Sequence, residues 1–121
     1  MMERTILVVE DSPTELKLIQ STLEGRGYRI MTATDGEQAL AQATLYRPDL
    51  IVLDVVLPKK NGYQVCRQLK LAADTKDIKI VMVSSKSGES DRFWGLKQGA
   101  DDYLAKPFQP QELVARVERH L

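Results

Sequence analysis

The chain has a single cysteine, Cys66, in 121 residues. No internal disulfide can form and no multi-cysteine metal cage is available, which fits a reducing compartment. A surplus of one charge is missing too: 17 Lys and Arg face 17 Asp and Glu, so no overall field draws the protein to nucleic acid or to an anionic membrane. No apolar run approaches the ~20 residues that a membrane-crossing helix needs. The start, Met1-Met2-Glu3-Arg4, lacks the long apolar stretch of a secretion signal. Linkers, internal repeats and low-complexity tracts are also absent. The expected location is therefore the cytoplasm, with no membrane insertion and no direct nucleic-acid contact. What is present is ordinary for a globular protein, with 43% hydrophobic and 28% charged residues. The length suits one core, and we expect one domain over residues 1–121.

Four large aliphatic residues in a row, Leu50-Ile51-Val52-Leu53, follow Pro48 and stop on Asp54. Such a run suits a strand buried on both faces, and the carboxylate marks where it leaves the core. Thr5 to Val9 is a similar strand that ends on the pair Glu10-Asp11. Tyr28 to Ala33, Lys79 to Val83 followed by Ser84-Ser85, and Asp102 to Ala105 followed by Lys106-Pro107 supply three more. Helical patterns lie between them. Ser12-Pro13-Thr14-Glu15 reads as a capping box ahead of an inward stripe of Leu16, Ile19 and Leu23. Asp35 opens a second helix facing inward on Leu40 and Ala43, and a third buries Val65, Cys66 and Leu69. A fourth runs from about Glu89 to Gln98, and a fifth starts near Pro110 and buries Leu113 and Val117. Strands alternating with helices over short connections require right-handed crossovers and a parallel α/β sheet covered on both faces.

Parallel connectivity sends every strand's carboxyl end to one edge, so Glu10, Asp11, Asp54, Ser84 and Lys106 are expected to meet there. Three neighbouring carboxylates repel one another, and the usual remedy is a hard cation bound by oxygen, with Mg²⁺ the best fit. With the metal and Lys106 neutralising a phosphoryl group, an Asp54 oxygen could attack in line and form an aspartyl phosphate. Ser84 would donate a hydrogen bond to one phosphoryl oxygen. Taken singly, Glu10 or Asp11 would be a helix cap or solvated turn, Ser84 a loop hydroxyl and Lys106 a surface lysine. Their placement at the same end of successive strands outweighs those readings. Cys66 reads as a core residue and His120 as a terminal helix residue near the negative end of the dipole.

With Glu10-Asp11, Asp54, Pro58, Gly62, Ser84, Tyr103 and Lys106-Pro107 in this order, the whole chain resembles the receiver domain of two-component response regulators, the single-domain chemotaxis type in particular. The resemblance implies a flavodoxin-like three-layer sandwich with strand order 2-1-3-4-5 and a ligand crevice between the first and third strands. It implies that Asp11, Asp54 and the Val56 backbone carbonyl hold Mg²⁺, that Glu10 contacts it through water, and that Lys106-Pro107 is commonly cis. Phosphate would come from a histidine kinase, a phosphotransfer domain or a small phosphodonor. Ser84 and Tyr103 would act as the switch, the serine drawn to the phosphate and the aromatic turning inward. The output face would lie on the fourth helix, fifth strand and fifth helix. There Trp94 is either an anchor for a downstream protein or part of the outer core. The stretch Ser84 to Ala100 is similar to receivers serving pilus twitching motility and phototaxis.

Three rivals follow from the same residues. A phosphohydrolase would carry a second carboxylate at the Val56 position, and an electron carrier would not place Glu10-Asp11 against a cofactor phosphate. The expectation is therefore a signalling domain that phosphorylates and slowly dephosphorylates itself, and not an enzyme. A receiver-shaped binding module working without phosphorylation is the alternative. With no DNA-binding segment in sight it would act by protein contact, unless the chain is a fragment of a longer regulator.

Overall fold

A computed structural model describes residues 3–121. Five strands and five helices alternate along them: β1 Thr5–Val9, α1 Pro13–Glu24, β2 Arg29–Ala33, α2 Gly36–Tyr46, β3 Leu50–Asp54, α3 Gly62–Leu71, β4 Lys79–Ser84, α4 Glu89–Lys97, β5 Asp102–Ala105 and α5 Pro110–His120. All strand pairs are parallel and the order is β2-β1-β3-β4-β5, which is the flavodoxin-like arrangement. After β1 the chain moves to one side for β2 and then back past β1 for β3. Its switch point therefore lies between β1 and β3, where such sheets open a crevice.

Successive side chains of a strand point to opposite faces, and the core divides accordingly. Ile6, Val8, Leu50, Val52, Val81 and Val83 point to one face, under Ile19 and Leu23 of α1 and Leu113 and Val117 of α5. Leu7, Val9, Ile51, Leu53, Ile80 and Met82 point to the other, under Ala39 and Ala43 of α2 and Val65, Cys66 and Leu69 of α3. The central strand β3 is buried along its whole length, as its unbroken aliphatic run requires. Among the described residues no helix is long and apolar enough to cross a membrane.

Several local expectations are refined. Ser12 caps α1 by accepting the Glu15 N–H at 3.4 Å, but the reciprocal half of the capping box is missing. The Ser12 N–H instead donates to Glu10 Oε1 at 3.3 Å, and the Glu15 side chain reaches elsewhere. In α2 the buried residues are Gly36, Ala39 and Ala43, with Leu40 only partly covered and packed against the core. A complete capping box occurs at α3: the Gln64 N–H donates to Asn61 Oδ1 and the Asn61 N–H to Gln64 Oε1, both at 3.0 Å. Helix α4 ends at Lys97, one residue earlier than expected, with Gln98 as its cap. The Cys66 thiol is fully buried beside the Gln98 carbonyl, 3.5 Å away, and burial pushes its pKa up to about 12.

Candidate functional site

Register places the site. Val9 pairs with Leu53, so Glu10 follows β1 beside Asp54 at the end of β3. Asp54 pairs with Val83, and Ser84 pairs with Ala105, so Ser84 and Lys106 continue the same row along β4 and β5. Four strands thus deliver four polar side chains to one edge, as parallel connectivity predicts. The loop after β3 is pinned to keep Asp54 there. The Gly62 N–H donates to the Val55 carbonyl at 2.7 Å, and a side chain at Gly62 would collide with the backbone of Asp54 and Val55. The Val56 N–H turns back toward Asp54 Oδ1 at 3.4 Å.

One oxygen each from Glu10, Asp11 and Asp54 lies within 4.8 Å of the others. Glu10 and Asp54 are buried, 1% and 5% exposed, whereas Asp11 is exposed and closes the open side. Lys106 enters from the β5 end. Its Nζ stands 2.7 Å from Glu10 Oε2, 3.2 Å from Glu15 Oε1 and 3.5 Å from Asp54 Oδ2. Burial pushes the Glu10 carboxyl up to about 7; the Lys106 hydrogen bond pulls it down and the Asp54 charge pushes it further up. Burial alone would lower Lys106, yet the hydrogen bond to Glu10 and the charges of Asp54 and Glu10 hold it above its ordinary value. The Lys106-Pro107 peptide is cis, as the resemblance implies. All these groups open on a cleft of about 530 Å³ whose rim includes Val56, Ser85 and Pro107.

An all-oxygen donor set of three carboxylates has the chemistry of a hard divalent cation site, and the Lys106 ammonium stands beside it as a counter-charge. The residues present fit Mg²⁺: two acidic strand ends converge, and the exposed Asp11 leaves an approach for water and a phosphoryl oxygen.

Two expected residues stand slightly apart. Ser84 is fully buried and its hydroxyl accepts the Lys86 N–H at 3.0 Å, so Ser85 rather than Ser84 borders the cleft. Tyr103 already points inward, 2% exposed, and its hydroxyl donates to the Lys86 carbonyl at 2.6 Å. Both switch candidates therefore hold the same residue of the loop between β4 and α4. Trp94 is 52% exposed on α4, next to Phe93 at 63%. Sequence reasoning missed Glu15 as a member of the site. Its position four residues after Asp11, on the first turn of α1, was a signal for it that the capping-box reading absorbed.

The sheet order defines a doubly wound α/β fold whose switch point is acidic and flanked by a lysine. Residues 6–118 match the family described as Response regulator receiver domain. The alkaline phosphatase synthesis transcriptional regulatory protein PhoP of Bacillus subtilis is 48% identical over 97% of this chain and 48% of its own length. Protein PilH of Pseudomonas aeruginosa is 39% identical over 93% of both chains. The receiver domain of the sensor histidine kinase PA1611 from Pseudomonas aeruginosa PAO1, solved with a magnesium ion coordinated in its active site cleft, superposes with a TM-score of 0.90. It is 34% identical, covering 98% of this chain and 97% of that one. The chain therefore belongs to the response regulator receiver family of two-component signalling, whose members are signalling domains rather than conventional enzymes. It spans about half the length of the Bacillus regulator and nearly all of PilH.

Proposed function

We propose that residues 1–121 form one receiver domain that accepts a phosphoryl group on Asp54. The observation that carries this is Lys106, held 3.5 Å from Asp54 at the mouth of a cleft where three carboxylates converge. Asp11, Asp54 and the Val56 carbonyl would hold Mg²⁺ directly, and Glu10 through water; the ion coordinated in the PA1611 cleft supports this assignment. Bound there, the cation supplies charge neutralisation for the incoming phosphoryl oxygens.

The chain's own residues do the rest. Asp54 Oδ attacks phosphorus opposite the leaving group, and the fixed end of β3 keeps that oxygen aimed into the cleft. Lys106 moves its charge from the carboxylates to a phosphoryl oxygen. Ser84 releases the Lys86 N–H and donates to another phosphoryl oxygen, which couples the site to the loop that Tyr103 also holds. The altered surface lies on α4, β5 and α5, with Trp94 as an anchor for a downstream protein. A histidine kinase or phosphotransfer domain is the donor. The Ser84–Ala100 stretch supports an output in pilus motility or phototaxis, while the length of the Bacillus relative supports a receiver within a longer regulator.

Incubation with a small phosphodonor and Mg²⁺ is expected to add one acid-labile phosphate by intact mass, and Asp54→Ala to abolish it. Equal addition to both proteins would refute Asp54 as acceptor. No addition to the wild type would leave the phosphorylation-independent binding module.

A further inference from the structure

Glu15 projects from the first turn of α1 onto the same ammonium that faces Asp54. Its Oε1 lies 3.2 Å from Lys106 Nζ, and Asp54 Oδ2 lies 3.5 Å from that atom on another side. The two carboxylates are therefore neighbours across a single cation. The Glu15 side chain is 47% exposed, against 12% for Lys106 and 1% for Glu10, so it occupies the outer end of the row. It borders both the acidic cleft and a small notch of about 120 Å³ beside Leu18, Pro107 and Phe108. A group entering along α1 passes it. Helix α1 does not depend on this carboxylate for capping, because the Ser12 N–H is taken by Glu10.

Counting charge shows what Glu15 adds. With Mg²⁺ bound, the ion and Lys106 together offset Glu10, Asp11 and Asp54. Glu15 remains as a surplus negative charge at the mouth of the cleft.

We infer that Glu15 is a donor-specificity residue: its charge disfavours phosphodonors that approach as dianions, such as acyl phosphates, more than those whose phosphoryl group rides on a protonated nitrogen. Phosphoramidate, a zwitterion with a protonated nitrogen on phosphorus, represents the second class. This rests on the phosphoacceptor reading of Asp54. In either transfer the Asp54 carboxylate forms the new P–O bond. With acetyl phosphate the old P–O bond breaks and acetate leaves with its electron pair. With phosphoramidate the P–N bond breaks and the already protonated nitrogen leaves as ammonia. The first donor arrives with one more negative charge than the second, and that difference is what Glu15 senses.

Second-order phosphorylation rates, read by intact mass at saturating Mg²⁺, test the idea with acetyl phosphate and phosphoramidate on wild type, Glu15→Gln and Glu15→Lys. Gln keeps the shape and can still accept from Lys106, so it removes charge alone. A half-exposed charge acting on a dianion several ångströms away predicts that Glu15→Gln speeds acetyl phosphate about three- to tenfold and phosphoramidate, with half the charge, only about two- to threefold. Glu15→Lys should extend the same trend, and the difference between donors should shrink at ~1 M salt, where the Debye length falls to ~3 Å. Equal changes for both donors would overturn the inference and make Glu15 a positioning residue for Lys106, and unchanged rates would also overturn it. If neither donor phosphorylates the wild type, the phosphoacceptor reading falls and this inference with it; phosphorylation with an unmoved donor ratio removes the inference alone.

Discussion

Asp102 is the most heavily partnered carboxylate outside the cleft. It is 4% exposed, and its oxygens accept from Arg116 at 2.6 Å and the Tyr103 N–H at 2.9 Å, with His120 at 3.0 Å and Arg119 at 3.4 Å. Burial alone would raise its pKa, but the hydrogen bonds from His120 and the Tyr103 N–H and the charge of Arg116 bring it below its ordinary 3.8. A depressed carboxylate stabilises the fold above its unfolded value, and that contribution disappears as pH falls through the native one. Asp102→Asn should therefore lose about 1–3 kcal/mol at neutral pH, since a buried charge-assisted network is broken. In acid, once the wild-type carboxyl is protonated, the deficit should close. Urea denaturation of both proteins across pH checks this, and a deficit independent of pH would contradict it. The sequence showed the members of this network but not their meeting. His120 read only as a helix end, because nothing local says that the last turn of α5 packs against the start of β5. The row at the cleft was easier to read: Asp54 and Ser84 end their strands, Glu10 and Lys106 directly follow theirs, and parallel connectivity is enough to align strand ends.

At the scale of elements, legibility followed hydrophobic contrast. The strands announce themselves by aliphatic runs that stop on polar groups, and α1, α3 and α5 by stripes that the structure buries. Helix α4 gave the weakest signal, since Gly95 is its one buried residue while Phe93 and Trp94 face outward. That glycine sets the position of Tyr103. A Cβ at residue 95 would stand 2.7 Å from the Tyr103 ring and 2.9 Å from the Met82 sulfur. Alanine favours a helix over glycine by ~0.5–1 kcal/mol, yet overpacking a filled site costs ~1–3 kcal/mol, so the clash should win. We expect Gly95→Ala to destabilise the protein by about 1 kcal/mol and to push the Tyr103 ring away from the Lys86 carbonyl. Denaturation gives the first quantity and NMR shifts of Tyr103 and Lys86 the second. Unchanged Tyr103 shifts would show that the ring is not held by this contact. The capping box at α1 misled for a related reason: Glu15 had a local partner available, but the ammonium of Lys106, brought in from β5, is the stronger one.

For the molecule as a whole, the central sheet separates two apolar layers, and the acidic row lies at the carboxyl ends of β1 and β3. The single thiol of the chain sits inside the layer formed with α2 and α3. With its pKa near 12 and no exposure, Cys66 carries almost no thiolate at neutral pH and offers no surface to a reagent. Alkylation must wait until α3 and the end of α4 part, because the sulfur lies against the Gln98 carbonyl between them. Its labelling rate is therefore expected to be at least about 1,000-fold slower than that of a free thiol, following an opening free energy of more than ~4 kcal/mol, and to rise with urea. A rate near that of a free thiol would mean that this layer is loosely closed. The protein thus carries its own stopwatch: one native atom, with no label added, times how often the layer between α3 and the end of α4 comes apart, and whether a change of charge at the far edge of the sheet slows or hastens it.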